Sequence, residues 1–299
     1  MFTLVFENDN NPEKSYSFHM IKTLLLCVDG SEYSEAAIGS ALWFSKRLKA
    51  QIIALSVVDI SLLEGPLLSD LSGSAGVQPF QDLLPQMRDL YEKKAQAAVN
   101  EVVEAAKKEN IPCETRVPTG LLVDSILEHE RAVELVIMGQ RGEGFEATGE
   151  WLGTNVERVV RKSIKPCLIT PKGFRPVRSI LAAYDGSQHA NHALYVAFEL
   201  AKTLKAALTI MTVENTSDEE EKSWALKEAM DLALKQGSQA KPLALHGIPE
   251  EKILEITNEG QHDLLVLGAY GHTRLREFVL GSVTNHVIRK STIPVLLVR

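Results

Sequence analysis

In the second half of the chain, short apolar runs alternate with longer stretches in which apolar residues return every third or fourth position. Segments 180–184, 208–213, 242–245, 264–267 and 295–298 are nearly unbroken hydrophobic runs, the pattern of parallel strands covered on both faces. After the first run, Ala190, Ala193, Leu194, Ala197, Phe198, Ala201 and Leu204 share one helical face. Ser217-Asp218-Glu219-Glu220 has capping-box spacing. Ile248-Pro249-Glu250-Glu251 puts proline at a first helical position and acids at the positive end of the helix dipole. This alternation predicts a parallel sheet with helices on both faces, and right-handed crossovers narrow its topology further.

The same series occurs earlier in the chain. Segment 24–31, ending Asp29-Gly30-Ser31, answers 180–187, ending Asp185-Gly186-Ser187; 134–139 answers 263–268. Leu152-Gly153-Thr154 answers Leu280-Gly281-Ser282, and 161–170 answers 289–298 with Arg, Lys, Ser and Pro in register. A repeat of this length governs the whole fold prediction. The copies are offset by 156 residues at Asp29/Asp185 but by 129 at Gly139/Gly268, so the first carries 27 extra residues, mostly within 60–86. The expected layout is an extension at 1–20, a first domain at 21–171, a Pro/Gly/Arg linker at 172–177 and a second domain at 178–299. Each domain is expected to be flavodoxin-like or Rossmann-like α/β, with a five-stranded parallel sheet at its core. Leu62, Leu63, Leu67, Leu68, Leu71, Phe80, Leu83 and Leu84 make the extra segment too apolar for a free linker. It is expected either to fold over a cleft or sheet edge, or to be a surface excursion.

Composition changes this picture little. The 299 residues are 45% hydrophobic and 24% charged, enough apolar material for normal cores. The net charge of -7 argues against a nonspecific nucleic-acid binder. Cys27, Cys113 and Cys167 form no CxxC pair and sit in or beside apolar stretches, as reduced thiols of a cytoplasmic protein would. No apolar run reaches membrane-spanning length, and 1–19 lacks the pattern of a secretory signal. GxSxG, HExxH and GxxxxGK[ST] are all absent from the sequence, so no catalytic residue and no metal ligand is nominated. Glu128, His129 and Glu130 read as a solvated helix face.

The residues suited to ligand chemistry lie after the fourth strand of each copy. From Gly268 the second copy reads Gly, two residues, Gly271, nine residues, then Gly281-Ser282 opening a helical run. Gly268 and Gly271 can take positive φ and admit close backbone approach. Gly281-Ser282 offers unpaired amides, a helix dipole and a hydroxyl, an anion cradle suited to a phosphate chain. Asp185, after the first strand, can accept hydrogen bonds from a base or ribose, and Val213 can supply apolar contact.

These residues resemble the universal stress protein family, as a tandem pair from about residue 21 to 299. The second copy carries the family's G-x2-G-x9-G-[ST] pattern without a gap, followed by Val283-Thr284. The resemblance implies binding of ATP or a related adenine nucleotide, with Mg2+ carried alongside it. Ala183, Asp185 and Val213 would hold adenine and ribose; Gly268, Gly271, Gly281, Ser282, Val283 and Thr284 would hold ribose and phosphates. In the first copy Asp29, Val57, Gly139, Gly142, Gly153 and Thr154 correspond. There, ten residues rather than nine separate Gly142 from Gly153, and Asn155 replaces Val283, so tighter binding is expected in the second copy. Three readings stay open: a nucleotide-binding stress-response regulator with little turnover, a slow ATP hydrolase, or a nucleotide-free scaffold. The terminal strands, left at sheet edges, are expected to pair the copies as an internal pseudo-dimer, with further association into a homodimer also open. Neither nucleic acid nor membrane is an expected partner.

Overall fold

The computed structural model describes residues 21–63, 83–142, 154–214, 219–269 and 281–299. The first half contains strands β1 (Thr23–Cys27), β2 (Gln51–Leu55), β3 (Val58–Asp59), β4 (Cys113–Arg116), β5 (Thr119–Gly120), β6 (Leu135–Gly139) and β7 (Cys167–Thr170). Its helices are α1 (Glu32–Leu48), α2 (Ile60–Leu63), α3 (Leu83–Lys108), α4 (Leu122–His129) and α5 (Thr154–Lys162). The second half contains β8 (Ser179–Ala183), β9 (Ala207–Glu214), β10 (Ala240–His246), β11 (Leu264–Gly268) and β12 (Val295–Val298). Among them lie α6 (Gln188–Leu204), α7 (Glu219–Lys235), α8 (Pro249–Asn258) and α9 (Ser282–Lys290). Pro249 occupies the first turn of α8, where its missing N–H costs nothing. Residues Ser217 and Asp218, and most of the extra segment, lie outside the described residues.

Ten strands form one sheet in the order β10-β9-β8-β11-β12-β7-β6-β1-β2-β4. Within each half the five strands are parallel, which requires a crossover connection between successive strands. The halves join through β7 and β12, which pair antiparallel with Ile169 opposite Val295, Leu168 opposite Leu296 and Cys167 opposite Leu297. The expected edge strands thus cover each other. β3 and β5 make a separate two-stranded ladder.

Strand side chains alternate between two apolar layers. Leu24 and Leu26 belong to a layer formed with residues of α1, α3, α6 and α7, among them Phe44, Val99, Phe198 and Ala229. Leu25 points the other way, into a layer with Ile126, Val159, Ile253 and Val287 from α4, α5, α8 and α9. Each layer runs through both halves.

One expectation fails at the end of α4. Glu130 is not solvated: it is 3% exposed and accepts hydrogen bonds from Ser163 Oγ and from the Ile164 amide at 3.1 Å. Burial pushes its carboxyl above the usual range against the pull of these donors. The cause is local. Glu130 lies four residues after the buried Ile126 and so on the same inward face, whereas Asp124 and Glu128 lie on the face shown to solvent.

The linker lies against the first half. Lys172 pairs with Glu32 and stands 5.3 Å over the Tyr33 ring. Phe174 covers Gly39, where a Cβ would come within 2.8 Å of the Phe174 ring. Gly39 is interior to α1, and glycine there costs roughly 0.5–1 kcal/mol relative to alanine. Gly39→Ala should therefore stabilise the Phe174→Ala variant by about 0.5–1 kcal/mol and give little or no gain in the native background, where the added methyl must displace the ring. A urea-unfolding double-mutant cycle measures the difference.

Candidate functional site

At the carboxyl end of β8 the chain turns sharply through Gly186, whose φ of +77° suits glycine. The turn is held by the Ser187 amide, which donates to Asp185 Oδ1 at 2.9 Å. Ser187 then caps α6, its Oγ accepting from the Ala190 amide at 3.1 Å. In the sheet Ala183 lies opposite Met211, so Val213 stands just beyond it at the end of β9. Val266 lies opposite Ala182, which brings Gly268 level with Tyr184. Ala183, Asp185, Val213 and Gly268 therefore gather at the carboxyl ends of three adjacent strands. This is the switch point of the sheet, because the chain winds outward from β8 to β9 and returns on the other side at β11.

Helix α9 brings its amino end to the same place. Its N-cap is Gly281, with φ -55°, ψ 144° and no side-chain cap. The Asn285 amide makes the first helical bond, to the Gly281 carbonyl at 2.9 Å. The amides of Ser282, Val283 and Thr284 thus precede the first intrahelical donor and carry the positive end of the dipole. Thr284 Oγ1 donates to the Gly268 carbonyl at 3.4 Å, fastening this end to β11. Ser282 is exposed and Val283 half-buried, whereas Thr284 is buried. Gly271 lies outside the described residues.

Gly268 has a packing role that its sequence does not reveal. It is not among the glycines of positive φ. A Cβ there would lie 2.8 Å from the Ala190 nitrogen and the His189 carbonyl carbon, so glycine is needed for the close passage of β11 beneath the start of α6. Gly139 does the same in the first half, where a Cβ would meet Tyr33 at 2.7 Å.

The first half builds a tighter version of the turn. Asp29 Oδ1 accepts from the Ser31 amide at 3.0 Å and from Ser34 Oγ at 2.7 Å, while its own amide donates to Ser34 Oγ at 3.0 Å. The position of Ser34 is Ala190 in the second half, so Asp185 has no such hydroxyl to accept. Gly142 closes on the same acid, its Cβ position being 2.8 Å from Asp29 Oδ2. Val57 is half-buried beyond β2. Gly153 lies outside the described residues, and Thr154 is described only as the first residue of α5.

Several neighbours of the second cleft were not legible as site residues. Tyr184 donates its one phenolic hydrogen to Glu228 at 2.7 Å, and its oxygen lies 3.0 Å from the side-chain amide of Asn191, tying α7 and α6 to the end of β8. Burial, and then Glu228, push its phenol well above the usual range. One turn before Glu228, the exposed Trp224 lies 3.5 Å from the Cβ position of Gly186. His189 is held below the ordinary histidine range by burial and by His192 and Arg299, so it is neutral at pH 7. Burial, foremost, also raises all three thiols, Cys167 to about 12. They are protonated and unreactive at neutral pH. Among the described residues, no group of three or more His, Cys, Asp or Glu is arranged to hold a metal, and no helix is long and apolar enough to cross a membrane.

Fold and site together define a tandem of doubly wound α/β domains, each with its residues of interest at the switch point. The chain belongs to the universal stress protein family, whose model matches residues 20–171 and again 176–299. It is 33% identical over 289 residues to the universal stress protein Slr1230 of Synechocystis, covering 93% of this chain and 100% of that protein. The Bacillus subtilis universal stress protein YxiE is 35% identical over 144 residues, 97% of its own length but 40% of this chain, so one repeat corresponds to a whole protein there. In fold, the chain is similar to a universal stress protein from Archaeoglobus fulgidus with a TM-score of 0.70 at 24% identity, covering 93% of this chain and 98% of that one.

The packing role of Gly268 has a direct test. Gly268→Ala drives a methyl into helix backbone that cannot swing aside, a form of overpacking that costs about 1–3 kcal/mol. The variant should lose that stability in urea unfolding without any ligand present.

Proposed function

We propose that this protein binds an adenine nucleotide, ATP or a close relative, at the switch point of its second half, and acts as a regulatory member of its family rather than through rapid turnover. The observation that carries the reading is the amino end of α9. It has no side-chain cap, presents the amides of Ser282, Val283 and Thr284, and is fastened by Thr284 to β11 beside Asp185 and Val213. Uncapped amides at a helix start favour phosphate oxygens. Gly281 leaves the approach open where any other residue would project a side chain. Asp185 is a suitable acceptor for ribose hydroxyls or base amines, and the half-buried Ala183 and Val213 offer an apolar wall for the base. Any Mg2+ would come with the phosphates.

The second half is the stronger candidate on its glycine spacing, and the acids of the two turns differ in their surroundings. In the first half Ser34 and Gly142 already surround the carboxylate of Asp29. A ribose would have to compete with a 2.7 Å hydroxyl bond for that acceptor.

Calorimetric titration with ATP tests the assignment. Gly281 has a φ and ψ that valine also adopts, so Gly281→Val should fold yet block the amides. Losing one charge-assisted hydrogen bond costs about 1.5–3 kcal/mol, or roughly one to two decades in affinity, and that loss is expected for Gly281→Val. Gly153→Val should leave most binding intact. The reverse pattern would assign the stronger site to the first half; no binding by the wild type would reject the nucleotide reading. Sustained phosphate release that Gly281→Val abolishes would instead identify a slow hydrolase.

A further inference from the structure

Two unlike residues occupy one pseudo-symmetric position where the halves meet. The repeat that sets Thr154 against Ser282 also sets Glu157 against Asn285 and Arg161 against Arg289. Antiparallel pairing of β7 with β12 relates the halves by an approximate twofold rotation, and α5 meets α9 across it. There Glu157 Oε1 accepts from Arg161 of its own helix at 2.9 Å and from Asn285 Nδ2 of the other half at 3.0 Å. Its Oε2 faces Arg289 of the other half at 3.3 Å. The Glu157 side chain is only 16% exposed. One shielded carboxylate thus receives donors from both halves.

We propose that Glu157, Asn285, Arg161 and Arg289 form an asymmetric polar key that selects pairing of unlike halves within one chain over pairing of like halves between chains. Two first halves joined in this geometry would bring two carboxylates to hydrogen-bonding distance where Glu157 now meets an amide, each keeping its own Arg161 but losing the donors of Asn285 and Arg289, and carboxylates so placed repel. Two second halves would bring together two asparagines and two Arg289 guanidiniums with no carboxylate between them. Only the unlike pair matches one acceptor group with amide and guanidinium donors. The arrangement is not the most stable conceivable, because the buried Asn285 Oδ1 has no hydrogen-bond partner among the described residues. A polar group retained at such a cost is a known means of fixing partner and register. Gln140 deepens the asymmetry. It donates across the junction to the Ile288 carbonyl and, at 3.3 Å, to that of Ser291, while its counterpart Ala269 has no amide to return.

The test uses the full-length chain and four variants: Asn285→Gln, Asn285→Glu, Glu157→Asn, and the exchange Glu157→Asn/Asn285→Glu. Thermal unfolding is followed at low salt and at high salt. Asn285→Glu should lower the midpoint by several degrees at low salt, and the drop should shrink at high salt, as charge repulsion does. Asn285→Gln should change the midpoint far less. The exchange should recover at least half of the loss, because Arg161 and Arg289 flank the transplanted carboxylate just as they flank the native one. An Asn285→Glu chain that unfolds at the wild-type temperature would overturn the proposal. So would an exchange variant no more stable than Asn285→Glu alone, and this second criterion holds even if Asn285→Glu fails to fold.

Discussion

The antiparallel contact between β7 and β12 is the one on which the rest of the architecture depends. An open parallel sheet must end somewhere, and its last strand is as apolar as those within it. Cys167–Thr170 and Val295–Val298 are buried along their whole lengths, yet each would present a row of unpaired amides and carbonyls if its half stood alone. Backbone edges of this kind recruit other chains. Each half answers the problem of the other, and the result is one sheet with two apolar layers that pass through the junction without interruption. The helices nearest the junction reinforce it at their carboxyl ends. Gln140 serves carbonyls at the end of α9, and Arg299 donates to the Ser163 carbonyl beyond the end of α5 at 3.2 Å.

On this shared frame the halves have diverged. The turn after β1 is drawn tight by Ser34, whereas the turn after β8 leaves serine only as the cap of α6. Trp224 and the Tyr184–Glu228 bond have no counterpart among the interactions described at the first turn. Two copies of one domain thus retain one scaffold while offering different surroundings to a ligand.

The strands and the repeat were legible because buried parallel strands must be almost continuously apolar, and because the Asp-Gly-Ser and Gly landmarks recur at sheet ends. The observed β9 and β10 merely extend past their apolar cores, to Ala207–Glu214 and Ala240–His246. What escaped the sequence was set by tertiary approach. Glycine at 268 says nothing in sequence of its close approach to the backbone of α6, which only the 2.8 Å contact shows. Glu130 looks solvated beside Glu128, but its spacing from Ile126 turns it inward to Ser163. The meeting of Glu157 with Asn285 depends on an axis that no local pattern encodes. Of the candidate site, the order Asp185, Val213, Gly268, Gly281 along the chain was readable from spacing; their convergence rests on strand register and on the Thr284 bond to β11.

Helix α9 is therefore held at both ends by different partners. Its amino end is fastened to the switch point of its own half through Thr284, and its carboxyl end to the opposite half through Gln140. Nine residues of helix form a strut of about 13 Å at the usual rise per residue, too short and stiff to absorb a displacement by bending. If a nucleotide seats at Gly281 as proposed, any effect of its binding on the grip between the halves would be matched by an equal effect of that grip on its affinity.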